Sequence, residues 1–429
     1  MKPRGAVSNE PPVERAALVG MVTRRSRATD SDTQLDELAG LAEAAGATVV
    51  LRATQERASA DSATVIGKGK VEQVTRACEE AGATIIIFDN ELTPGQARNL
   101  ETACGRRVID RTELILDIFA QRARTHEGQL QVELAQLQYM LPRLAGSSEA
   151  LSRLGGGIGT RGPGETKLET DRRRIRHRIS VLKAEIGTVG ERRGYLRARR
   201  KRTDVPTVAL VGYTNAGKTT LFNRLTGADA VASNALFVTL DPLVRRMKLP
   251  DARQIFLSDT VGFIDRLPHQ LVAAFRATLE EVTGADLLVH VIDAAADDRE
   301  RRIDAVRSVL AEVKADQIPT LEVFNKIDLL SADELERLQA VHPEAVFIAA
   351  TKPAGQSMAM TAIASRLAMD AERVRFTLDG SLERDRRLLA ELYRHARVLS
   401  HVTDDDKISV EADVPRRLMP KFRRSRVPA

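Results

Sequence analysis

Residues 207–220 read TVALVGYTNAGKTT, an apolar run that leads into a glycine-rich turn and then into an amphipathic stretch, LFNRLTG. Gly212 and Gly217 are separated by four residues, and Lys218 and Thr219 follow directly. This spacing, with a strand before it and a helix after it, predicts a phosphate-binding loop whose backbone N–H groups surround the phosphates. The predicted nucleotide-binding residues of the loop are Gly212, Tyr213, Thr214, Asn215, Ala216, Gly217, Lys218, Thr219 and Thr220.

The residue types in this loop predict separate roles. Lys218 would span the β- and γ-phosphate oxygens, and the Thr219 hydroxyl would ligate Mg²⁺. The N-terminus of the following helix adds its positive end. The side-chain carbonyl of Asn215 could bind K⁺ beside the phosphates, and bracing of the loop is the alternative. The loop alone predicts that a nucleoside triphosphate binds, but it does not predict which base the nucleotide carries.

A second motif, DTVGF, begins at Asp259 at the end of the apolar stretch QIFLSD and stands about forty residues after the loop. In a P-loop fold, Asp259 would hold a magnesium-bound water, and the amide of Gly262 would contact the γ-phosphate. The next residue is Phe263, at a place where many GTPases have a glutamine that orients the attacking water. We therefore expect slow intrinsic hydrolysis, with a partner, a metal ion or another residue completing the site.

A threonine between these two motifs is expected to close over the metal. Thr226 and Thr239 are the candidates, and Thr226 falls on the helix that follows the phosphate loop. Thr239, in the loop-like stretch LFVTLDPLVRR, is therefore preferred, although a β-branched strand residue is the alternative reading of it. The predicted metal ligands are Thr219, Thr239 and Asp259, and the predicted catalytic residues are Lys218, Thr239 and Gly262.

A third motif, NKID, follows the apolar residues LEVF and predicts the base. The carboxylate of Asp328 can accept hydrogen bonds from N1 and N2 of guanine, whereas adenine offers neither donor. Buried polar groups that lose their partners cost about 1 to 3 kcal/mol each, so two of them favour GTP strongly. Asn325 would brace the phosphate loop, and the aliphatic stem of Lys326 would cover the base.

The remaining sequence predicts the fold class: an α/β P-loop GTPase domain with a parallel-sheet core, flanked by smaller domains. Short β-branched runs alternate with helical stretches over residues 16–120 and predict a small α/β domain. Leucines and isoleucines at steps of three and four predict an antiparallel coiled-coil hairpin over residues 121–203. The glycine-dense segment 154–174 is expected to interrupt its two helices.

The domain boundaries complete this prediction. Residues 1–15 read as a disordered leader, because they mix proline, glycine and charge without a period. Residues 204–370 form the predicted GTPase domain. Residues 371–429 are predicted to form a small α+β domain with a basic tail.

Composition places the chain among ordinary globular proteins, with 43% hydrophobic and 29% charged residues. No stretch approaches the roughly 18 apolar residues of a membrane-spanning helix, and the first residues lack a secretory apolar core. Cys78 and Cys104 fit neither a disulfide framework nor a metal pair, which favours a reducing compartment. We expect a cytoplasmic monomer.

The net charge of +6 concentrates near RRGYLRARRKR at residues 192–202. With 3% aromatic residues and no tryptophan, base stacking on single strands is disfavoured. Attraction to the phosphates of structured RNA fits better, and a solvated coiled coil with a flexible hairpin tip is the alternative. The candidate RNA-contacting residues are Lys68, Lys70, Arg161, Lys167, Arg172, Arg173, Arg199, Arg200 and Lys201.

The stretches GYTNAGKT, FVTLDP, DTVGFI and NKID, together with GGIGTRGPGETKLETDRRRI, resemble the HflX family of GTPases within the Obg and HflX group. The resemblance covers nearly all of residues 16–370. It implies a ribosome-associated protein that binds the large ribosomal subunit (its rRNA) in the GTP state and splits ribosomes under stress. Ala349 and Ala350 stand where the family usually has a Ser-Ala pair whose backbone contacts guanine O6.

Two other functions are compatible with these residues. One is an NTP-driven remodeller of RNA whose N-terminal domain binds ATP, but residues 1–150 contain no second phosphate-loop motif. The other is a binding module or ribosome assembly factor that uses GTP only as a sensor. GTP turnover with and without ribosomes distinguishes the sensor from the ribosome-acting enzyme.

Overall fold

The computed structural model describes most of the chain as two compact units, one comprising chiefly residues 1–186 and the other chiefly the remainder. The described residues are 13–23, 29–145, 163–202, 205–230, 236–265, 281–369, 371–415 and 418–422. Three predicted features lie wholly or largely outside them: the leader, the first part of the glycine-dense segment with Arg161, and the basic tail.

The first unit contains a parallel sheet flanked by helices. Its strands are β1 (Arg15–Thr23), β2 (Thr48–Arg57), β3 (Ile85–Phe88) and β4 (Arg107–Asp110), in the order β2-β1-β3-β4. All adjacent pairs are parallel. The helices are α1 (Thr29–Ala44), α2 (Lys68–Ala81), α3 (Pro94–Cys104) and α4 (Arg111–Arg122). This confirms the predicted α/β region with a parallel sheet.

Local sequence explains where these helices begin and end. Thr93 caps α3 in a reciprocal capping box with Gln96, and a proline occupies the first turn. Helices α2 and α3 stop at Gly82 and Gly105, whose φ values of 61° and 62° are left-handed and suit glycine. Val74 of α2 is buried in the core beneath the sheet.

Two longer helices, α5 (His126–Ala145) and α6 (Pro163–Arg202), pack through the predicted seam. Leu130, Leu134 and Leu182 are buried there, and partly buried leucines and isoleucines flank them. An ion pair between Arg178 and Glu133, with two N···O distances of 2.7 Å, joins the helices at the surface.

The prediction that residues 154–174 interrupt both helices was wrong for their second half. Helix α6 starts at Pro163, so residues 163–174 are helical. Proline is favoured in a first helical turn because its missing N–H would be unpaired there. After Gly164, the residues ETKLETDRRR are mostly good helix formers, so the glycine-dense character ends before this point.

The second unit contains the predicted P-loop domain. Its strands are β5 (Thr207–Val211), β6 (Leu243–Lys248), β7 (Gln254–Asp259), β8 (Leu287–Asp293), β9 (Thr320–Asn325) and β10 (Val346–Phe347). The sheet order is β10-β9-β8-β5-β7-β6, and only the β6–β7 pair of these described strands is antiparallel. The helices are α7 (Lys218–Thr226), α8 (Arg299–Glu312), α9 (Ala332–Val341) and α10 (Pro353–Met369).

This topology positions the three motifs. The phosphate loop follows β5, DTVGF begins at the last residue of β7, and NKID begins at the last residue of β9. Because the carboxyl ends of parallel strands meet at one edge of a sheet, the motifs converge there although they are far apart in sequence. The parallel-sheet core of the prediction is confirmed.

Residues after α10 form an antiparallel sheet in the same unit. Strands β11 (Ala371–Asp379), β12 (Arg397–Asp404) and β13 (Lys407–Pro415) lie in the order β11-β13-β12. Helices α11 (Glu383–His395) and α12 (Met419–Phe422) cover one face, and Phe376, Leu392 and Val410 are buried between sheet and helices. This agrees with the predicted α+β class of the region.

Across the described ranges, the helices are either too short or too polar to cross a membrane.

Candidate nucleotide-binding site

The phosphate loop passes so close to β8 that glycine is required at its first position. A Cβ on Gly212 would lie 2.2 Å from the carbonyl oxygen of Val291, and the φ of Gly212 is +149°. Gly217 has a φ of +95°, and a Cβ there would lie 2.3 Å from the side-chain amide of Asn325. Both positions therefore require glycine, Gly212 because a neighbouring backbone approaches it and Gly217 because the Asn325 side chain does.

Lys218 is almost fully buried beneath the loop. Its ammonium donates hydrogen bonds to the carbonyl oxygens of Gly212 at 3.0 Å and Tyr213 at 2.8 Å. An ammonium has three donors, so this geometry leaves one for a phosphate oxygen. Burial lowers the pKa of Lys218 to about 8, and the nearby carboxylate of Asp259 opposes that shift. A bound phosphate would favour the charged form further.

The three predicted metal ligands lie together. Asp259 Oδ2 accepts hydrogen bonds from Thr219 at 2.8 Å and Thr239 at 3.2 Å, and the two hydroxyl oxygens are 2.6 Å apart. Thr239 lies in a loop before β6, outside the described strands, whereas Thr226 is the last residue of α7 and bonds its own helix.

This cluster fits a magnesium ion. Mg²⁺ prefers hard oxygen ligands, and all three side chains offer only oxygen. Asp259 Oδ1 is buried and makes no hydrogen bond to any described residue, so a carboxylate oxygen remains for a further partner. Burial raises the pKa of Asp259, while the Lys218 charge and the two threonine hydroxyls lower it. GTPases generally use Mg²⁺.

Gly262 touches the phosphate loop directly. A Cβ on Gly262 would lie 2.8 Å from the Cα of Thr214 and 3.2 Å from the Lys218 nitrogen, so a side chain would displace the loop. Phe263 is buried, its N–H donates to Gly212 O, and its carbonyl accepts from the Thr214 N–H. The Phe263 side chain carries no polar atom and cannot orient water.

The NKID motif, which is predicted to recognise the base, is tied to the phosphate loop by Asn325. Its side-chain amide donates to the carbonyl of Ala216 at 2.9 Å, and its Oδ1 accepts from the N–H of Ala350 at 2.9 Å. This is the bracing role that the sequence predicted for Asn325. Asp328 lies on a single 3₁₀ turn (Ile327–Leu329) with an exposed side chain, where its carboxylate can accept hydrogen bonds from a base.

The loop at Ala349 and Ala350 is also held in place. The Ala349 carbonyl accepts from the N–H of Lys352 at 2.9 Å, and both alanines are buried. The Ala350 N–H is engaged by Asn325 in this structure. A backbone contact from this pair to guanine O6 remains a prediction.

Two features of the site escaped the sequence argument. Lys326 forms an ion pair with Asp293 at 2.7 Å, which fixes the lysine stem that was predicted to cover the base. The Tyr213 phenol accepts a hydrogen bond from the Asp265 N–H. Asp293 lies at the carboxyl end of β8, and side chains at the carboxyl ends of the parallel strands reach the site in this fold. This position was the signal in the sequence from which a role for Asp293 could have been predicted.

The candidate RNA-contacting residues lie away from these motifs in sequence. Lys68 and Lys70 are in the first turn of α2, and Arg172 and Arg173 are on α6. Lys167, Arg199, Arg200 and Lys201 are also on the α6 backbone, but their side chains are outside the described part of the structure. Arg161 lies outside the described residues altogether.

This arrangement is suited to transfer of a phosphoryl group to water. The loop amides and Lys218 would hold the β- and γ-phosphates, and the Gly262 amide would bind a γ-phosphate oxygen. When bound, magnesium would supply positive charge that stabilises negative charge on the phosphate oxygens. Thr219, Thr239 and Asp259 are the residues that would hold it. Catalysis here would rest on positioning and electrostatics, because the apolar side chain of Phe263 cannot direct water.

Known protein families and solved structures are similar to this chain. Three family models match consecutive parts of the chain: GTP-binding GTPase N-terminal at residues 32–120, GTP-binding GTPase Middle Region at 122–200, and 50S ribosome-binding GTPase at 207–326. A solved structure of a GTP-binding protein from Sulfolobus solfataricus in complex with GDP is 26% identical, covers 82% of this chain and 98% of that chain, and has a TM-score of 0.44.

Curated relatives match at higher identity. A GTPase HflX from Caldanaerobacter subterraneus subsp. tengcongensis is 47% identical over 94% of this chain and 91% of that protein. A GTPase HflX from Escherichia coli K12 is 49% identical over 79% of this chain and 80% of that protein. With the three motifs assembled at one sheet edge, this similarity shows that the chain belongs to the HflX family of P-loop GTPases and is a GTP-hydrolysing enzyme.

Proposed function

We propose that this GTPase is cytoplasmic, binds the large ribosomal subunit in its GTP state, and splits or rescues ribosomes under stress. The observation that carries the proposal is the match of residues 207–326 to a family described as 50S ribosome-binding GTPase. The apolar Phe263 supports it, because this side chain cannot orient water and a group supplied by a partner is one way to complete the site.

The basic helix α6 supports an RNA partner. The side chains of Arg173, Arg174 and Arg176 are exposed. The ion pairs of Arg174 with Asp171 and of Arg176 with Glu169 are long, at 3.7 and 3.8 Å. Exposed pairs contribute little free energy, so these arginines can exchange carboxylates for RNA phosphates at small cost.

Large ribosomal subunits are expected to raise the rate of GTP hydrolysis at least about tenfold, which equals roughly 1.4 kcal/mol of barrier. The reason is that the subunit would supply the group that Phe263 cannot. The measurement is phosphate release at saturating GTP with increasing amounts of purified large subunits, and small subunits at equal concentration serve as the control.

Binding itself is tested by gradient sedimentation with ribosomes, comparing GDP with a non-hydrolysable GTP analogue. We expect co-sedimentation with the large subunit only with the analogue, and separation of ribosomes into subunits under the same condition. Equal hydrolysis rates with and without large subunits would remove the ribosome-acting proposal and favour a GTP sensor or an RNA remodeller.

A potassium site is a further part of the proposal. Asn215 lies at the exposed tip of the phosphate loop with a φ of +61°, a left-handed conformation that asparagine adopts more readily than most residues. Its side chain is exposed rather than packed against the loop. The carbonyl oxygen is therefore available to a cation beside the phosphates.

If K⁺ binds there, hydrolysis in KCl should exceed hydrolysis in NaCl at equal ionic strength by about fivefold, or about 1 kcal/mol. Asn215→Ala should abolish the difference while leaving the rate in NaCl within about twofold of the parent rate. A KCl rate that stays high in the Asn215→Ala variant would contradict the assignment.

A further inference from the structure

The phosphate loop and the segment that follows Gly262 are joined as a short stretch of paired backbone. The Phe263 N–H donates to the Gly212 carbonyl at 3.1 Å, and the Thr214 N–H donates to the Phe263 carbonyl at 2.7 Å. Tyr213 and Phe263 form a parallel bridge between the two segments. Gly262 is thereby held beside Lys218.

A side chain adds a third connection at the far end of this segment. The phenol oxygen of Tyr213 accepts a hydrogen bond of 2.8 Å from the N–H of Asp265. The Tyr213 ring is buried, with 5% of its surface exposed, and the Arg302 guanidinium lies 5.1 Å from the ring centroid. Tyr213 therefore contacts both the segment after Gly262 and helix α8.

The phenol oxygen is the one atom of this side chain that a phenylalanine lacks. A phenylalanine would fill the same space and keep the ring beneath Arg302, but the Asp265 N–H would lose its acceptor. The hydrogen bond therefore anchors the segment beyond Gly262, while the Phe263 backbone anchors it just after Gly262. The hydrogen bonds of Phe263 and Asp265 both lie on the C-terminal side of Gly262, and together they fix the direction of the Gly262 N–H. This is the N–H that the γ-phosphate would contact.

We propose that Tyr213 is a positioning residue for GTP hydrolysis, because its phenol holds Asp265 against the phosphate loop and so aims the Gly262 amide at the γ-phosphate. The contacts expected with GDP run through the loop amides and Asp328, and none of these groups lies in the segment after Gly262. The proposal rests on intrinsic GTP hydrolysis and not on the ribosomal partner.

The test is Tyr213→Phe in the full chain without ribosomes. Single-turnover hydrolysis should slow about tenfold. Affinity for GDP should stay within about twofold of the parent value, because GDP has no γ-phosphate and cannot lose a contact to it. Affinity for a non-hydrolysable GTP analogue should fall relative to GDP. A purely structural role would instead weaken GDP binding and thermal stability together with the rate.

Tyr195→Phe is the matched control, because it removes the same atom from a tyrosine that is 79% exposed. It should leave the rate and both affinities unchanged. Tyr213→Leu, which also removes the ring, should lose at least as much rate as Tyr213→Phe. The proposal is overturned if Tyr213→Phe hydrolyses GTP within about twofold of the parent rate, or if it loses GDP affinity or stability in parallel with its rate.

Discussion

Lys218→Ala is expected to abolish measurable GTP hydrolysis, a loss of about a thousandfold or more, because one preorganised donor in such a site contributes a hundredfold to a thousandfold. Lys218 also carries a full charge against the β- and γ-phosphates. Its two hydrogen bonds to loop carbonyls hold the ammonium where a third bond can form to phosphate. The measurement is single-turnover phosphate release at saturating GTP.

The matched control for this variant is Lys248→Ala, which removes an exposed lysine from β6 of the same unit. Its rate should equal that of the parent protein. The melting temperature of both variants should be recorded, because truncating a buried side chain also leaves a cavity. A Lys218→Ala protein that is folded and hydrolyses GTP within about tenfold of the parent would contradict the predicted role.

Asp328→Asn is expected to exchange guanine for xanthine specificity. The carboxylate can accept from both N1 and N2 of guanine, whereas an asparagine amide would place a donor opposite the guanine N2 group. Xanthine has a carbonyl there, so the amide can donate to it. Two unsatisfied groups at about 1 to 3 kcal/mol each predict a GDP affinity at least about thirtyfold weaker, with xanthosine diphosphate binding more tightly than GDP.

Competition against a fluorescent guanine nucleotide measures both affinities. Asp333→Asn serves as the control, since it makes the same change on an exposed carboxylate five residues further along the chain. GDP affinity that is unchanged in Asp328→Asn would remove the account of base specificity.

Local sequence was sufficient to predict a feature where one short segment determines both the backbone conformation and the chemical groups of that feature. The glycines of the phosphate loop are needed because β8 and Asn325 crowd them, and their spacing was visible in the sequence. The parallel sheet of the first unit was also predictable, because β-branched runs alternated with helices that stop at Gly82 and Gly105. Each of these signals is contained within about fifteen residues.

Contacts between segments that are distant in sequence could not be predicted. The Lys326–Asp293 pair depends on β8 lying beside β9, and the Tyr213–Asp265 bond depends on β7 lying beside β5. Strand order is a property of the whole sheet, so no local sequence pattern predicts it. The start of α6 at Pro163 was missed for a different reason. The glycines before Pro163 led to the prediction of a break, although a proline is favoured in a first helical turn.

The most direct measurement is a crystal structure of the protein with GDP and Mg²⁺. The structure should show the β-phosphate within the Gly212–Lys218 loop and guanine N1 and N2 each at about 2.9 Å from the carboxylate of Asp328. A base bound elsewhere, with its edge turned away from Asp328, would contradict the assignment of this pocket to guanine.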